Sequence, residues 1–152
     1  MEPTDANLMG NVFGGVILAD VDRAAYISAT RHARSDCVTA AVDRLDFLEP
    51  VRIGEVVEYR STLTCVGKSS MEVWVEAVAE GIRGGPKRTV VNAYLTMVAV
   101  DPEGHPMPVP PLAITTAEER RRFEAGQQRM EARQQTRERR PSGRPTPVVR
   151  KE

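Results

Sequence analysis

A glycine pair, Gly14-Gly15, opens directly into an apolar run that carries two acids, and no other stretch constrains this chain as tightly. Between Val16 and Ala29, the residues Ile17, Val21, Ala24, Ala25 and Ser28 recur at three- and four-residue steps, the repeat of a helix with one apolar face. The spacing predicts a helix over about 15–31 that is apolar enough to be largely enclosed. The first N–H groups of a helix have no partner within it, and glycine lets a ligand approach bare backbone. A carbonyl oxygen gaining negative charge can be held there. Asp20 and Asp22 lie inside the apolar run, where an unpaired carboxylate is costly, so at least one should face a polar cavity or a partner.

Downstream the period changes to two. Val38, Ala40 and Val42 fall on one face of a predicted strand that closes at Glu49-Pro50, and Val57, Tyr59, Ser61, Leu63 and Cys65 share a face of a second. Gly67-Lys68-Ser69 makes a short reversal. The cleanest alternation follows, with Met71, Val73, Val75, Ala77 and Ala79 opposed to Glu72, Trp74, Glu76, Val78 and Glu80. After a loop over 81–86, the segment 89–100 is apolar on both sides, as a central strand is. One helix followed by long antiparallel strands is an α+β layout in which the sheet wraps the helix.

Pro106 to Pro111 predicts extended chain, since proline fixes φ and lacks a donor. Thr115 or Thr116, each with a glutamate three residues on, can cap a second helix. Phe123 and Met130 are almost its only large apolar residues, so it is expected to lean on the domain at its start and fray later. Beyond about Arg137, proline, serine, glycine and arginine predominate, which predicts disorder.

At 152 residues, with 41% hydrophobic and 28% charged residues, the chain is one globular domain by the usual prior. Its formal net charge of zero supplies no global field to recruit nucleic acid or membrane, so neither is expected as a partner. From Thr116 onward there are 11 basic and 6 acidic residues, a net +5 that the remainder balances; a solvated face suits this mixture of Glu and Arg better than a nucleic-acid surface. Cys37 and Cys65 lie in predicted strands without metal-ligand spacing, which fits free buried thiols in a reducing cytoplasm. No apolar run of spanning length and no signal segment occurs, and the expected location is cytoplasmic. His32, at the end of the first helix, and His105, after a turn, read as surface residues.

Asp5-Ala6-Asn7 followed by Gly10-Asn11-Val12-Phe13-Gly14-Gly15, with an acid seven residues after the second glycine, resembles the hotdog-fold acyl-CoA thioesterases of the bacterial short-to-medium-chain type and their tandem-domain animal cytosolic relatives. The likeness continues through Val38-Thr39-Ala40-Ala41-Val42-Asp43, Phe47, Gly54, Val66-Gly67-Lys68-Ser69-Ser70 and Pro108-Val109-Pro110, covering roughly residues 3–130. It implies a hotdog domain over 1–114, with the charged helix at 115–136 and a disordered basic tail at 137–152. The strand such proteins carry before the Asp-Ala-Asn turn is nearly absent here, so that strand is truncated or the true start lies upstream.

The resemblance further implies hydrolysis of acyl-CoA, with Asp22 as general base or nucleophile and Asn7 orienting water or carbonyl. The oxyanion would fall to the amide of Gly15, beside Gly14, or to that of Val16. Lys68, Ser69 and Ser70 would meet the CoA phosphates and adenosine, and Thr39 and Asp43 would lie near the pantetheine arm. Asp46 stands where such proteins usually carry asparagine. No metal or cofactor is expected, coenzyme A being part of the substrate, and the activity would belong to fatty acid metabolism. Seven residues from Gly15 to Asp22 amount to about 10 Å of helical rise, so acid and amides of one chain cannot easily share a bond. Two antiparallel helices about a two-fold axis remove the difficulty, and a homodimer, going on to a tetramer or hexamer, is expected. Alternative readings are a hotdog hydratase, which lacks its histidine near the catalytic turn here, and a non-catalytic acyl-CoA sensor.

Overall fold

The computed structural model of the chain describes residues 1–139. A 3-10 turn over Pro3–Asp5 leads to helix α1, Gly14–Ala33, followed by strands β1 Asp36–Phe47, β2 Glu55–Val66, β3 Ser70–Gly81 and β4 Arg88–Val100, and by helix α2, Ala117–Arg139. All strand pairs are antiparallel, in the order β1-β4-β3-β2, so the segment that reads apolar on both sides is indeed central. The α+β hotdog layout expected from the sequence is the one observed.

Helix α1 lies on one face of the sheet and buries Ile17, Val21, Ala25 and Ala29 there. They meet the alternation read from the sequence, Met71, Val73, Val75, Ala77 and Ala79, together with Val91, Ala93, Leu95, Met97 and Ala99 of β4. Alanines on both sides bring helix and sheet close, and each fully buried Leu- or Val-sized side chain contributes about 1.5–3 kcal/mol. A polar seam fixes the helix against β2: Ser61 Oγ donates to the Ala24 carbonyl at 2.9 Å and lies 2.5 Å from Ser28 Oγ. The enclosure is one-sided, however. Tyr26 and Ile27 are 41% and 48% exposed, so α1 is not largely enclosed.

Three strands depart from simple alternation, β4 by one extra residue, Val90, between the partners of Ala77 and Val78. In β1, register shifts between Thr39 and Ala41 and between Val42 and Arg44 place Val38 opposite Val98 but Val42 opposite the buried Leu95. Val38, Ala40 and Val42 therefore do not share a face, because each β-bulge turns the following side chains over. A further shift between Leu63 and Cys65 moves Cys65 to the outer face, opposite Glu72.

Helix α2 covers that outer face. It packs at its middle rather than at its start, because Gly126 is where the backbone can come close: a Cβ there would lie 2.6 Å from Cys65 Cβ. Arginine stems and heads do the rest. Arg129 donates from Nη2 to the Glu72 carboxylate at 2.7 Å and stacks over the Tyr94 ring at 4.4 Å, and Arg122 lies over Trp74. Arg133 pairs with Asp43, and Thr64 Oγ1 donates to Glu72 at 2.6 Å. The helix continues to Arg139, three residues past its expected end, so the disorder expected from 137 does not begin there; the rest of that stretch, 140–152, falls outside the described residues. Neither cysteine is paired and both are buried. No described helix is long and apolar enough to cross a membrane.

Gly126→Val should force α2 off the sheet and lower stability by about 1–3 kcal/mol, as overpacking does, read as a reduced urea midpoint.

Candidate active site

The turn that precedes α1 is built by Asn7. Its Oδ1 accepts from the Met9 N–H at 2.9 Å and the Asn11 N–H at 3.2 Å, and its own N–H donates to the Asn11 carbonyl at 2.7 Å. An asparagine that folds its own loop in this way leaves only its Nδ2 donors for a ligand. The loop is tied to the sheet margin by Val12 N–H donating to the Val51 carbonyl at 2.8 Å.

At the helix start, the Val16 N–H already donates to the Phe13 carbonyl at 3.0 Å. The Val16 amide is thus removed as an oxyanion donor, while the amides of Gly14 and Gly15 have no partner among the described residues. The missing side chains serve a second purpose. A Cβ on Gly14 would come to 3.2 Å from the Phe47 ring and one on Gly15 to 2.6 Å from the Phe13 ring, so the glycines seat two phenyl groups against the helix start. Asn7, Gly14 and Phe47 line one open groove of about 340 Å³ with Val12, Ile17 and Val51.

Asp22 lies eight residues further along the same helix than Gly14, about 12 Å of rise. Its Oδ1 accepts from Thr39 Oγ1 of β1 at 2.6 Å, and the same hydroxyl lies 3.5 Å from Met97 Sδ. It makes no ion pair among the described residues. Asp20 does pair, with Arg23 at 2.6 Å. Burial pushes the nearby Tyr59 hydroxyl up, with the Asp20 charge adding to it.

The structure therefore groups the expected residues into two half-sites. Asn7, Gly14 and Gly15 form one, and Asp22 with Thr39 forms the other. The Lys68-Ser69-Ser70 turn is at the same end of the sheet as Thr39: Thr39 is level with Met97, and Met97 with Met71, so about 10 Å and two strand spacings separate them. Lys68 is exposed and unpaired among the described residues, and its carbonyl accepts from the Val109 N–H. Asp43 departs from expectation. Its carboxylate takes the Thr96 hydroxyl at 2.6 Å and Arg133 of α2, on the face opposite α1, because the bulge beside it turns it outward. Of the two histidines, His32 Nε2 meets the Pro110 carbonyl at 2.9 Å and His105 pairs with Asp101; neither approaches the half-sites.

Phe47 and Phe13 acquire their place only through the fold, since nothing in their local pattern places a ring over a glycine. Among the described residues no three His, Cys, Asp or Glu side chains converge as metal ligands would.

Residues 9–85 match the model of the thioesterase superfamily. The chain is 41% identical to the Bacillus subtilis protein YkhA, an uncharacterized acyl-CoA thioester hydrolase, over 77% of this chain and 68% of that one. It is 36% identical to the mouse cytosolic acyl coenzyme A thioester hydrolase, of whose length it spans 34%. A hexameric acyl-CoA thioesterase solved without ligand is 37% identical, with a TM-score of 0.85 over 92% of this chain and 90% of that one. A Staphylococcus aureus acyl-CoA hydrolase, solved with butyryl coenzyme A and coenzyme A, is 34% identical at TM-score 0.81, over 90% and 84%. Three alanine variants of that enzyme replace an asparagine, an aspartate 15 residues on and a threonine 17 beyond it. Asn7, Asp22 and Thr39 stand at the same two spacings here. By sequence and by fold, the chain belongs to the thioesterase superfamily.

Proposed function

We propose that the protein hydrolyses acyl-CoA thioesters to fatty acid and coenzyme A, in a site that two copies of the chain complete together. The observation that carries this reading is the exposed stripe of α1. Gly15, Ala19 and Tyr26 are exposed along the helix, and Asp22, at the same helical steps, stands at their margin where the helix meets Thr39 of β1. Leu8, Met9, Phe13, Phe47 and Leu48, each at least 52% exposed, extend that apolar surface around the helix start. Contiguous apolar surface of this kind marks an interaction site. A second copy packed antiparallel on the stripe would cover it and bring each Asp22 toward the other chain's Gly14 and Gly15 amides. The hexameric relative supports further assembly of such dimers.

In this arrangement Asp22, steadied by Thr39, takes a proton from water as the water oxygen bonds to the thioester carbon. The Gly15 amide, with Gly14 beside it, receives the developing oxyanion, and Asn7 Nδ2 orients water or carbonyl. The C–S bond then breaks, the oxyanion closes to a carboxyl group and the proton leaves with the thiol. A thiolate is a good leaving group, so this route needs no serine nucleophile. Lys68 with the hydroxyls of Ser69 and Ser70 suits the phosphates of coenzyme A. The cytosolic naming of the mouse relative and the free cysteines favour a cytoplasmic role in fatty acid metabolism.

Hydrolysis is tested by free-thiol release from acyl-CoA esters running from acetyl to palmitoyl. Asp22→Asn should lower kcat by about 10²–10⁴-fold, the usual contribution of a positioned base; full activity in that variant would end the assignment. Equal mixing of inactive Asn7→Ala and Asp22→Ala chains should restore about a quarter of wild-type activity, since half the dimers are mixed and each holds one intact site of two. No recovery after confirmed subunit exchange would rule out the shared geometry. Asn7→Asp should keep hydrogen-exchange protection at the Met9 and Asn11 amides, because the accepting oxygen remains, while activity falls with the lost Nδ2 donors.

A further inference from the structure

We infer that the groove beside the Gly14 and Gly15 amides gauges acyl-chain length, with Phe47 as its wall and the Glu49–Arg88 ion pair as its stop. The inference rests on the thioesterase reading, since the groove begins where the thioester carbonyl would lie. Gly14, Asn7 and Asn11 line it with the apolar Ile17, Phe47 and Val51, and Glu49 is its one charged lining residue. At about 340 Å³ it is near the lower limit for small-molecule pockets. An alkyl chain leaving a carbonyl held at the free amides has apolar surface to follow for that length and no further.

The charged part of the lining is tied to Arg88, while the Glu49 side chain stays 53% exposed. Arg88 Nε meets Glu49 Oε2 at 3.0 Å, while its other nitrogens bind the Glu55 carboxylate at 2.8 and 2.9 Å and the Pro50 carbonyl at 3.0 Å. The Arg88 hydrogen bonds hold the Glu55 carboxyl below its ordinary value. Methylenes that reach the cluster would strip water from charged groups without replacing it, and this opposes the gain from burial. Phe47 narrows the groove from the side because its ring already sits against Gly14 at contact distance. The polar stop would act mainly through binding, as a penalty that ground state and transition state share.

The test measures binding and turnover on the full chain. Affinities of S-alkyl-CoA thioethers of increasing length, by calorimetry, should rise about fourfold per methylene while the groove fills and then level off or fall. In Glu49→Leu the break should move to longer chains, with the gain in kcat/KM for long acyl-CoA esters appearing in KM; Glu49→Gln, which keeps the size and removes the charge, should move it the same way. Phe47→Ala should also extend the rising range. A break at the same chain length in wild type and all three variants, or no break in wild type, would overturn the inference. If thioethers show the shifting break while no ester is cleaved by wild type, the thioesterase reading falls and the gauge stands as a binding property.

Discussion

Gly15 and Asp22 ride on one rigid helix, and the rise of that helix fixes about 10 Å between a pair of free amides and the acid that would work with them. No rotamer of Asp22 crosses this gap, and packing of α1 against Val73, Val75 and Leu95 leaves the helix no freedom to bend toward itself. The separation explains why the half-sites look incomplete by themselves: a loop folded by Asn7 and two unpartnered amides at one end, an acid held only by Thr39 at the other. It also explains the apolar stripe between them, which one chain has no means to cover.

What the sequence made legible follows from how local each signal is. The alternation from Met71 to Glu80 survives in β3 because the extra residue opposite Ala77 and Val78, Val90, belongs to β4. In β1, paired on one side only among the described strands, two bulges reset the faces, and a period-two reading of Val38, Ala40 and Val42 had no means of seeing them. The same event turned Asp43 to the face that α2 covers, where it meets Thr96 and Arg133. Asp22 and Asn7 were readable because an acid in an apolar helix and an asparagine before a glycine pair are each locally conspicuous. The rings of Phe13 and Phe47 against those glycines were not, since the second contact joins residues more than thirty positions apart.

The seat of α2 shows another limit of local patterns. Its sequence is nearly devoid of large apolar side chains, yet it is held by a fully buried carboxylate, Glu72, that accepts from Thr64 and Arg129. Burying an ion pair contributes little net stability against an apolar substitute of the same shape, but one partner without the other is severely unfavourable. Glu72, Arg129 and the bare backbone at Gly126 therefore fix where the helix lies more than how firmly the fold holds. Charge on an outward strand face gave no hint of this, because solvation is its commoner fate.

The position of β1 at the sheet margin bears on how the chain comes into being. Its one strand neighbour among the described residues is β4, with pairs running from Phe47 and Val91 to Asp36 and Val100, so partners 44 to 64 positions apart must meet before the ladder can close. During synthesis at about 5–20 residues per second, β1 waits several seconds after it emerges, with its hydrogen-bonding groups unclaimed. Contacts spanning such distances also slow folding in free solution. The bulges that spoiled the sequence reading become useful in that interval, because a twisted, interrupted margin is a poor template for a stray strand from a neighbouring nascent chain.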